Sequence, residues 1–570
     1  MNRWFDVAWL VLWGVLSTVW ILTAAQDLSA AFDEWNNLRW GVTSFRSGSN
    51  FDFMREGTMP FAVDVQYLPI HIWEWCRGVP FDVENPGDFH AILPYARAMN
   101  LLFWWLLLTY AMLVGRTFGG SWAGRFAVVL CATEPSFLGH ACFALTDIAV
   151  TAMVLVFTYH YWHGRDAGRW RRWVIPGVLY GLAMAAKASA LTFIPLIMLA
   201  LEVPRLSAAG AFAPPPGTGR IRHFWRVSSA FRWDFFKVLA VATVVVWAYC
   251  GCDWKPQPTF VKMADGMKDD NPWKPTVQWL AHNLRVFPNA GVGFVYQIKH
   301  NFRGHGSNIL GNWHPRAFWY YFPVALTIKL TLPVLVILVG LLIGRPRSFW
   351  HPLGLAALVL LLFTLNCRVQ IGVRLIFPVV AILLVTVAVA LARATAAWSD
   401  DRRAVLLVIL SGILIYPAAM VWPDGLRYSN ELWGGPENTY KYIADSNYDW
   451  GQGLKDLDRW TAERGLGAVP VWYYGMDPVI AKDPNRLLAL HNFHLYDIQS
   501  PGDTWKYVRG KVVAVGINLL YGAPAITWSM PNVIEFFKAH QPIGRTRTFF
   551  VYDFRDESEV RGQKSEVSGP

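Results

Sequence analysis

The sequence predicts a mainly α, polytopic membrane protein of about eleven transmembrane helices, closed by a C-terminal extracytoplasmic α/β domain. Three observations predict it. Apolar residues make up 54% of the 570-residue chain and charged residues only 16%, a balance that does not fit an ordinary soluble protein. Apolar stretches near the roughly 20 residues that cross hydrocarbon recur through the first three quarters of the chain. From position 424 onward hydropathy falls and the pattern becomes that of a folded soluble module.

Taken in order, the candidate spans are 7–25, 98–115, 124–140, 147–163, 174–187, 190–203, 238–251, 320–342, 353–366, 375–392 and 404–422. The first exceeds the 7–15 apolar residues of a usual signal core, so it is read as an uncleaved helix. With the N-terminus inside, the loops at 116–125, 165–172, 205–237, 345–347 and 393–403 face the cytoplasm. They carry 17 Lys or Arg against 4 Asp and no Glu, and all five agree on one orientation. The net charge of +11 is thereby assigned to loops that meet anionic lipid head groups, and with no basic-aromatic surface nucleic-acid binding is set aside. These features place the chain in a cell (inner) membrane with its carboxy-terminal module exported.

Residues 1–423 form the membrane part, with outer loops at 26–97 and 252–319; 424–555 form the outer domain, and the polar stretch 556–570 is expected to be disordered. In the first loop, 61–75 mixes apolar, aromatic and polar residues as a surface-lying segment would. In the outer domain, Leu454, Leu457 and Trp460 share a helical face that stops at Gly465, and strands are expected at 469–474, 512–518 and 548–554. Six cysteines offer no pairing or zinc spacing.

Transfer of a sugar from a lipid phosphate to a hydroxyl requires a base for the acceptor proton and cations, or a metal, for the leaving phosphate. The outer face holds candidates for both. Asp33 and Glu34 open the first outer loop, Asp147 begins the fourth span, and Lys187 and Arg374 stand at outer helix ends. Each has a plainer reading: a solvated loop start for the acidic pair, an N-terminal dipole partner behind a Thr146 cap for Asp147, snorkelling for Lys187, and carbonyl capping for Arg374 and its neighbour Arg368. Lys329 falls about ten residues into its span, where a charge needs a partner or a wet cavity. His300, His305 and His314 cluster in the second outer loop without zinc spacing, so they are read as ordering that loop.

Five ordered stretches between 33 and 452 resemble the bacterial branch of the GT-C glycosyltransferases related to protein O-mannosyltransferases and aminoarabinose transferases, the glycosyltransferase 39 type. They are Asp33-Glu34 with Met59-Pro60-Phe61; Glu134-Pro-Ser-Phe-Leu-Gly-His140 with Thr146-Asp147 and Gly181 to Lys187; His305 to Gly311 with Trp319-Tyr320-Tyr321-Phe-Pro323 and Lys329; Ile371-Gly-Val-Arg374 to Pro378; and Tyr428-Ser-Asn430, Gly434-Gly-Pro436 and Asp445-Ser-Asn-Tyr-Asp-Trp-Gly-Gln452. Phe61 stands where a second proline is usual and Met59 where a histidine is usual, departures that fall on the acceptor side. The resemblance implies a GT-C fold and an inverting, mannosyltransferase-like transfer from a polyprenyl-phosphate sugar to a protein, glycan or lipid acceptor. It implies Asp33 as base with Glu34 as neighbour or alternate, Asp147 in the cavity, and substrate contacts from Lys187, Arg374, Lys329, Tyr320, Tyr321 and His305. A divalent metal ion is left open, and the Asp445 to Gln452 motif carries no derived role beyond a helix cap at Asp449 that docks the outer domain.

Two other classes compete. A transporter or flippase would show ionisable residues near the midplane and repeated broken helices, whereas all candidates except Lys329 gather at outer ends and the two halves do not mirror each other. A non-catalytic receptor would bind glycan through the outer domain alone.

Overall fold

The computed structural model describes residues 3–251, 256, 258–283, 290–488, 490, 498–522 and 530–555; the tail at 556–570 and Cys252 lie outside them. The chain is mainly helical, as the sequence predicts. α1 (Arg3–Asp27) leads into the segment expected as the first outer loop, which folds as α2 (Phe32–Ser47), α3 (Phe51–Arg55) and α4 (Pro60–Arg77). The stretch expected to lie along a surface is therefore α4, whose Val63, Gln66, Tyr67 and Ile70 are buried.

α5 (Pro86–Ala132) holds two expected spans in one run of 47 residues. At about 1.5 Å per residue it would overreach any bilayer, but Gly120, at φ 79° and ψ −175°, reverses its course. The second arm stops at Ala132 rather than 140: Pro135 cannot continue the amide ladder, and the Glu134 side chain accepts from Ser136 N to start α6 (Pro135–Ala141). α7 (Asp147–Gly164), α8 (Ile175–Ala186), α9 (Ala190–Ala208), α10 (Arg220–Val227) and α11 (Ser229–Tyr249) follow. A Cβ at Gly177 or Gly181 would sit 2.5 or 2.6 Å from Val241 or Val245, so this four-residue glycine spacing lets α8 and α11 touch at backbone distance.

The segment expected as the second outer loop carries α12 (Pro258–Asp265), α13 (Lys274–Asn283), α14 (Ala290–Arg303) and a hairpin of β1 (Ser307–Ile309) with β2 (Asn312–His314). The span expected at 320–342 is broken into α15 (Tyr321–Lys329) and α16 (Leu332–Gly344), bent by 116°. Pro333 opens the second piece, and Asn430 satisfies the carbonyls freed at the break, donating from Nδ2 to Thr327 O and Leu330 O at 2.7 and 2.9 Å. α17 (Pro352–Thr364), α18 (Phe377–Ala394) and α19 (Asp400–Val421) complete the membrane part, with α18 buried along almost its whole length. Among the described residues five helices are long and apolar enough to cross a membrane, six with the bent pair counted as one.

The arginine-rich loops converge on one end of the bundle. Asp6 accepts from Arg116 and Arg125 at 2.9 and 2.7 Å, Trp122 donates to Asp400, Arg393 donates to Phe118 O and Trp350 O, and Arg165 joins Glu202 and Asp234. Several loop arginines assigned to lipid head groups are thus engaged within the protein.

At the other end, α20 (Leu454–Glu463) precedes a four-stranded sheet ordered β3 (Val471–Trp472), β4 (Val512–Gly516), β6 (Phe549–Asp553), β5 (Gly544–Arg545), in which only the β3–β4 pair is parallel. The observed strands are shorter than expected, the strand after Val469 keeping only two residues. Arg547 and Arg459 both pair with Asp27, and Lys455 N donates to Ser29 Oγ at 2.8 Å, fastening this region to the end of α1. The described cysteines at 76, 131, 142 and 367 are free thiols.

Candidate active site

A cavity of about 600 Å³ opens at the end opposite the arginine loops, walled by the start of α2, the start of α7, the α8–α9 turn, α14, the approach to α18 and the C-terminal region at Asp445, Trp450 and Tyr474. Asp33, Asp147, Lys187, His305 and Arg374 all line it, although they are up to 341 positions apart in the chain. Lys187, ending α8 in extended conformation, donates to Asp147 Oδ1. Thr146 makes no side-chain cap at α7, so Asp147 is turned to cations rather than to a capped turn.

Arg374 is the hub. Its Nη1 lies 3.4 Å from Asp33 Oδ2 and 3.7 Å from Asp147 Oδ2, contacts long for charge-assisted hydrogen bonds. Its Nε donates to Ser446 Oγ at 2.9 Å, and the guanidinium lies 3.9 Å over the Trp450 ring. Asp33 is 37% exposed, but toward the cavity; loss of bulk hydration pushes its carboxyl above the usual range, and Arg374 pulls it back. Asp445, at φ 60°, lines the cavity from the C-terminal region with its Oδ1 accepting from Ser446 N, and burial raises it to about 6.

His300 and His305 face each other, with Nε2 and Nδ1 2.7 Å apart, and burial holds both below the ordinary imidazole range, His300 at about 4. Both are neutral at pH 7, so among the described residues Lys187 and Arg374 are the cavity's cations. His314 does order its loop, accepting from Arg316 N and Ala317 N at 3.0 and 3.1 Å. Among the described residues no three His, Cys, Asp or Glu side chains gather as a metal site, and Asp33 and Asp147 are engaged with Arg374 and Lys187.

Four residues expected at the site stand apart from it. Glu34 turns away from its neighbour: its carboxylate takes Arg97 Nε and Nη2 at 2.8 and 2.7 Å and accepts from Ala31 N and Ala144 N, both at 2.8 Å. Every lone pair is directed into a buried joint, which leaves no capacity for a substrate proton. Lys329 donates to Leu426 O, Tyr428 O and Asn447 O at 2.7, 2.6 and 2.8 Å, and is thus a buried tie between α15 and the outer domain. The residue that favoured a transporter has its three donors filled. Tyr321 OH accepts from Asn447 Nδ2, and neither Tyr320 nor Tyr321 lines the cavity.

The Asp445 to Gln452 motif cradles this site. Phe32 N donates to Trp450 O at 2.7 Å and Ser29 N to Gln452 O at 3.0 Å, so the motif holds the segment that presents Asp33. Asp449 is not a helix cap; its Oδ1 accepts from Gly451 N, its buried Oδ2 has no hydrogen-bond partner among the described residues, and burial pushes it to about 7.

Comparison with known proteins agrees with the resemblance read from the sequence. No curated protein matches the chain. Among solved structures, ArnT from Cupriavidus metallidurans bound to undecaprenyl phosphate is similar at 14% identity, covering 95% of this chain and 97% of that one with a TM-score of 0.42. The apo oligosaccharyltransferase of Archaeoglobus fulgidus is similar at 12% identity, covering 78% of this chain and 56% of that one with a TM-score of 0.45. Residues 82–209, which include the Glu134 to His140 motif, Asp147 and Lys187, match the family described as dolichyl-phosphate-mannose-protein mannosyltransferase.

Proposed function

We propose that this protein is a membrane glycosyltransferase that moves a sugar, by a mannosyltransferase-like reaction, from a polyprenyl-phosphate donor to a hydroxyl acceptor on the outer face of a cell membrane, with inversion. The observation that carries the reading is the meeting of Asp33, Asp147, Lys187 and Arg374 in one cavity. A phosphate that binds Arg374 takes the place of its two long carboxylate contacts, with Lys187 beside it still tied to Asp147, and releases Asp33. Its carboxyl, made more basic by lost hydration, then takes the acceptor hydroxyl proton as that oxygen attacks the anomeric carbon. The bond to the phosphate oxygen breaks on the opposite face, and the cations stabilise the lipid phosphate that leaves. The match over residues 82–209 supports the donor class. Clustering of the arginine loops at the far end of the bundle supports the outer-face orientation. A protein serine or threonine, a lipid-linked glycan or an envelope polymer would each supply the hydroxyl.

Purified protein is incubated with a panel of polyprenyl-phosphate sugars and hydroxyl acceptors (a serine/threonine peptide, a lipid-linked glycan and an envelope polymer), and the released lipid phosphate is measured for wild type and Asp33→Asn. Release by wild type, lost in the variant, is expected. Equal release by both would overturn the base assignment, and no release from any donor would overturn the reading.

A further inference from the structure

Arg374 enters the cavity with one side of its guanidinium held by the outer domain. Besides the Ser446 hydrogen bond and the Trp450 ring, Ser446 Oγ donates to Ile371 O, and Asn447 Oδ1 accepts from Val373 N at 2.8 Å. The fit is close: a Cβ at Gly372 would fall 2.2 Å from Ser446 Oγ, so the Ile-Gly-Val-Arg sequence needs its glycine to admit the serine. Nε is used and one face of the plane is covered, while Nη1 is left toward Asp33 and Asp147 at the long distances given above. A guanidinium carries its donors in a rigid fork, so fixing Nε and the plane also fixes where the remaining donors point.

We propose that Ser446 and Trp450 are positioning residues that set the plane of Arg374, so that the free edge of its guanidinium is presented to the phosphate of a lipid-linked ligand. The outer domain then completes a site whose cations both come from the membrane part. This role rests on the reading of Arg374 as a phosphate partner.

The test is a double-mutant cycle on the full-length protein, reading affinity for polyprenyl monophosphate and, separately, donor turnover. Ser446→Ala is expected to weaken lipid phosphate binding about tenfold, the worth of a hydrogen bond to a charged group. In an Arg374→Lys background, which has no fork to align, the same substitution is expected to cost less than twofold. Trp450→Phe keeps a ring face and is expected to stay near wild type, whereas Trp450→Leu behaves like Ser446→Ala. Equal losses from Ser446→Ala in both backgrounds, or equal binding by Trp450→Phe and Trp450→Leu, would show that the segment merely supports the fold and would overturn the proposal. An intact coupling in binding without sugar transfer would sink the transferase reading while leaving the positioning role standing; transfer with additive losses would do the reverse.

Discussion

The two ends of the bundle use the same residue types for opposite purposes. At the arginine-rich end Asp6, Glu202 and Asp234 are buried against Arg125, Arg165 and Arg172, with most contacts at 2.6 to 2.9 Å. The Glu34–Arg97 joint is of this closed kind too, though it lies next to the cavity. At the cavity end Lys187 holds Asp147 Oδ1 closely, but Arg374 is shared between two carboxylates at 3.4 and 3.7 Å, and among the described residues Asp147 Oδ2 is buried without a hydrogen bond. A closed pair has spent its hydrogen-bonding capacity on the fold, and breaking it leaves a bare charge. An open pair keeps capacity that a ligand of the right charge can take up.

The contrast is sharpest between adjacent residues. Asp33→Asn is expected to lower turnover about 10²- to 10⁴-fold while the unfolding temperature stays near wild type, as measured by donor turnover and thermal unfolding side by side. Glu34→Gln should do the reverse, costing about 3 kcal/mol of stability because Arg97 loses its buried counter-charge. If Glu34→Gln is stable but inactive, the division between the two acids fails.

Smaller effects refine the comparison. Lys329→Met removes the donor to three buried carbonyls and is expected to destabilise by about 2–3 kcal/mol or more in chemical unfolding, with the donor KM little changed in whatever protein remains folded. Arg374→Gln removes the cation that holds the Asp33 carboxyl down, so the acid limb of the pH–rate profile should move to higher pH. A further effect, read through pH, concerns Asp449. Its folded carboxyl titrates near 7 against an unfolded value near 4, so the stability it contributes is complete below about pH 4 and is lost as pH rises through 7. Asp449→Asn should therefore raise the unfolding temperature at pH 8 and change it much less at pH 5.

The fold was legible where one physical rule dominates. Long apolar runs and arginine asymmetry reveal the helices and the grouping of their loops, because hydrocarbon tolerates so few alternatives. Breaks were harder: the reversal at Gly120 and the bend before Leu332 depend on one glycine and on Asn430, which is about a hundred residues away from the carbonyls it satisfies. At the site, the sequence brought forward Asp33, Asp147, Lys187 and Arg374, since charges at outer helix ends need a partner. It could not separate Asp33 from Glu34, because consecutive helical residues point about 100° apart and only the tertiary structure says which one meets Arg97. Arg97 itself left a signal that went unread: like Arg374, it is an arginine beside a span on the side where the positive-inside rule does not place one. Ser446 and Trp450 stood in a recognised motif, yet their contact with Arg374 spans more than 70 residues and no local pattern encodes it.

The most direct measurement is the affinity of full-length protein for polyprenyl monophosphate, compared between Arg374→Gln in the open pair and Arg172→Gln at the closed end. A loss of tenfold or more for Arg374→Gln with wild-type affinity for Arg172→Gln is the result expected. Undiminished affinity in Arg374→Gln would contradict the account.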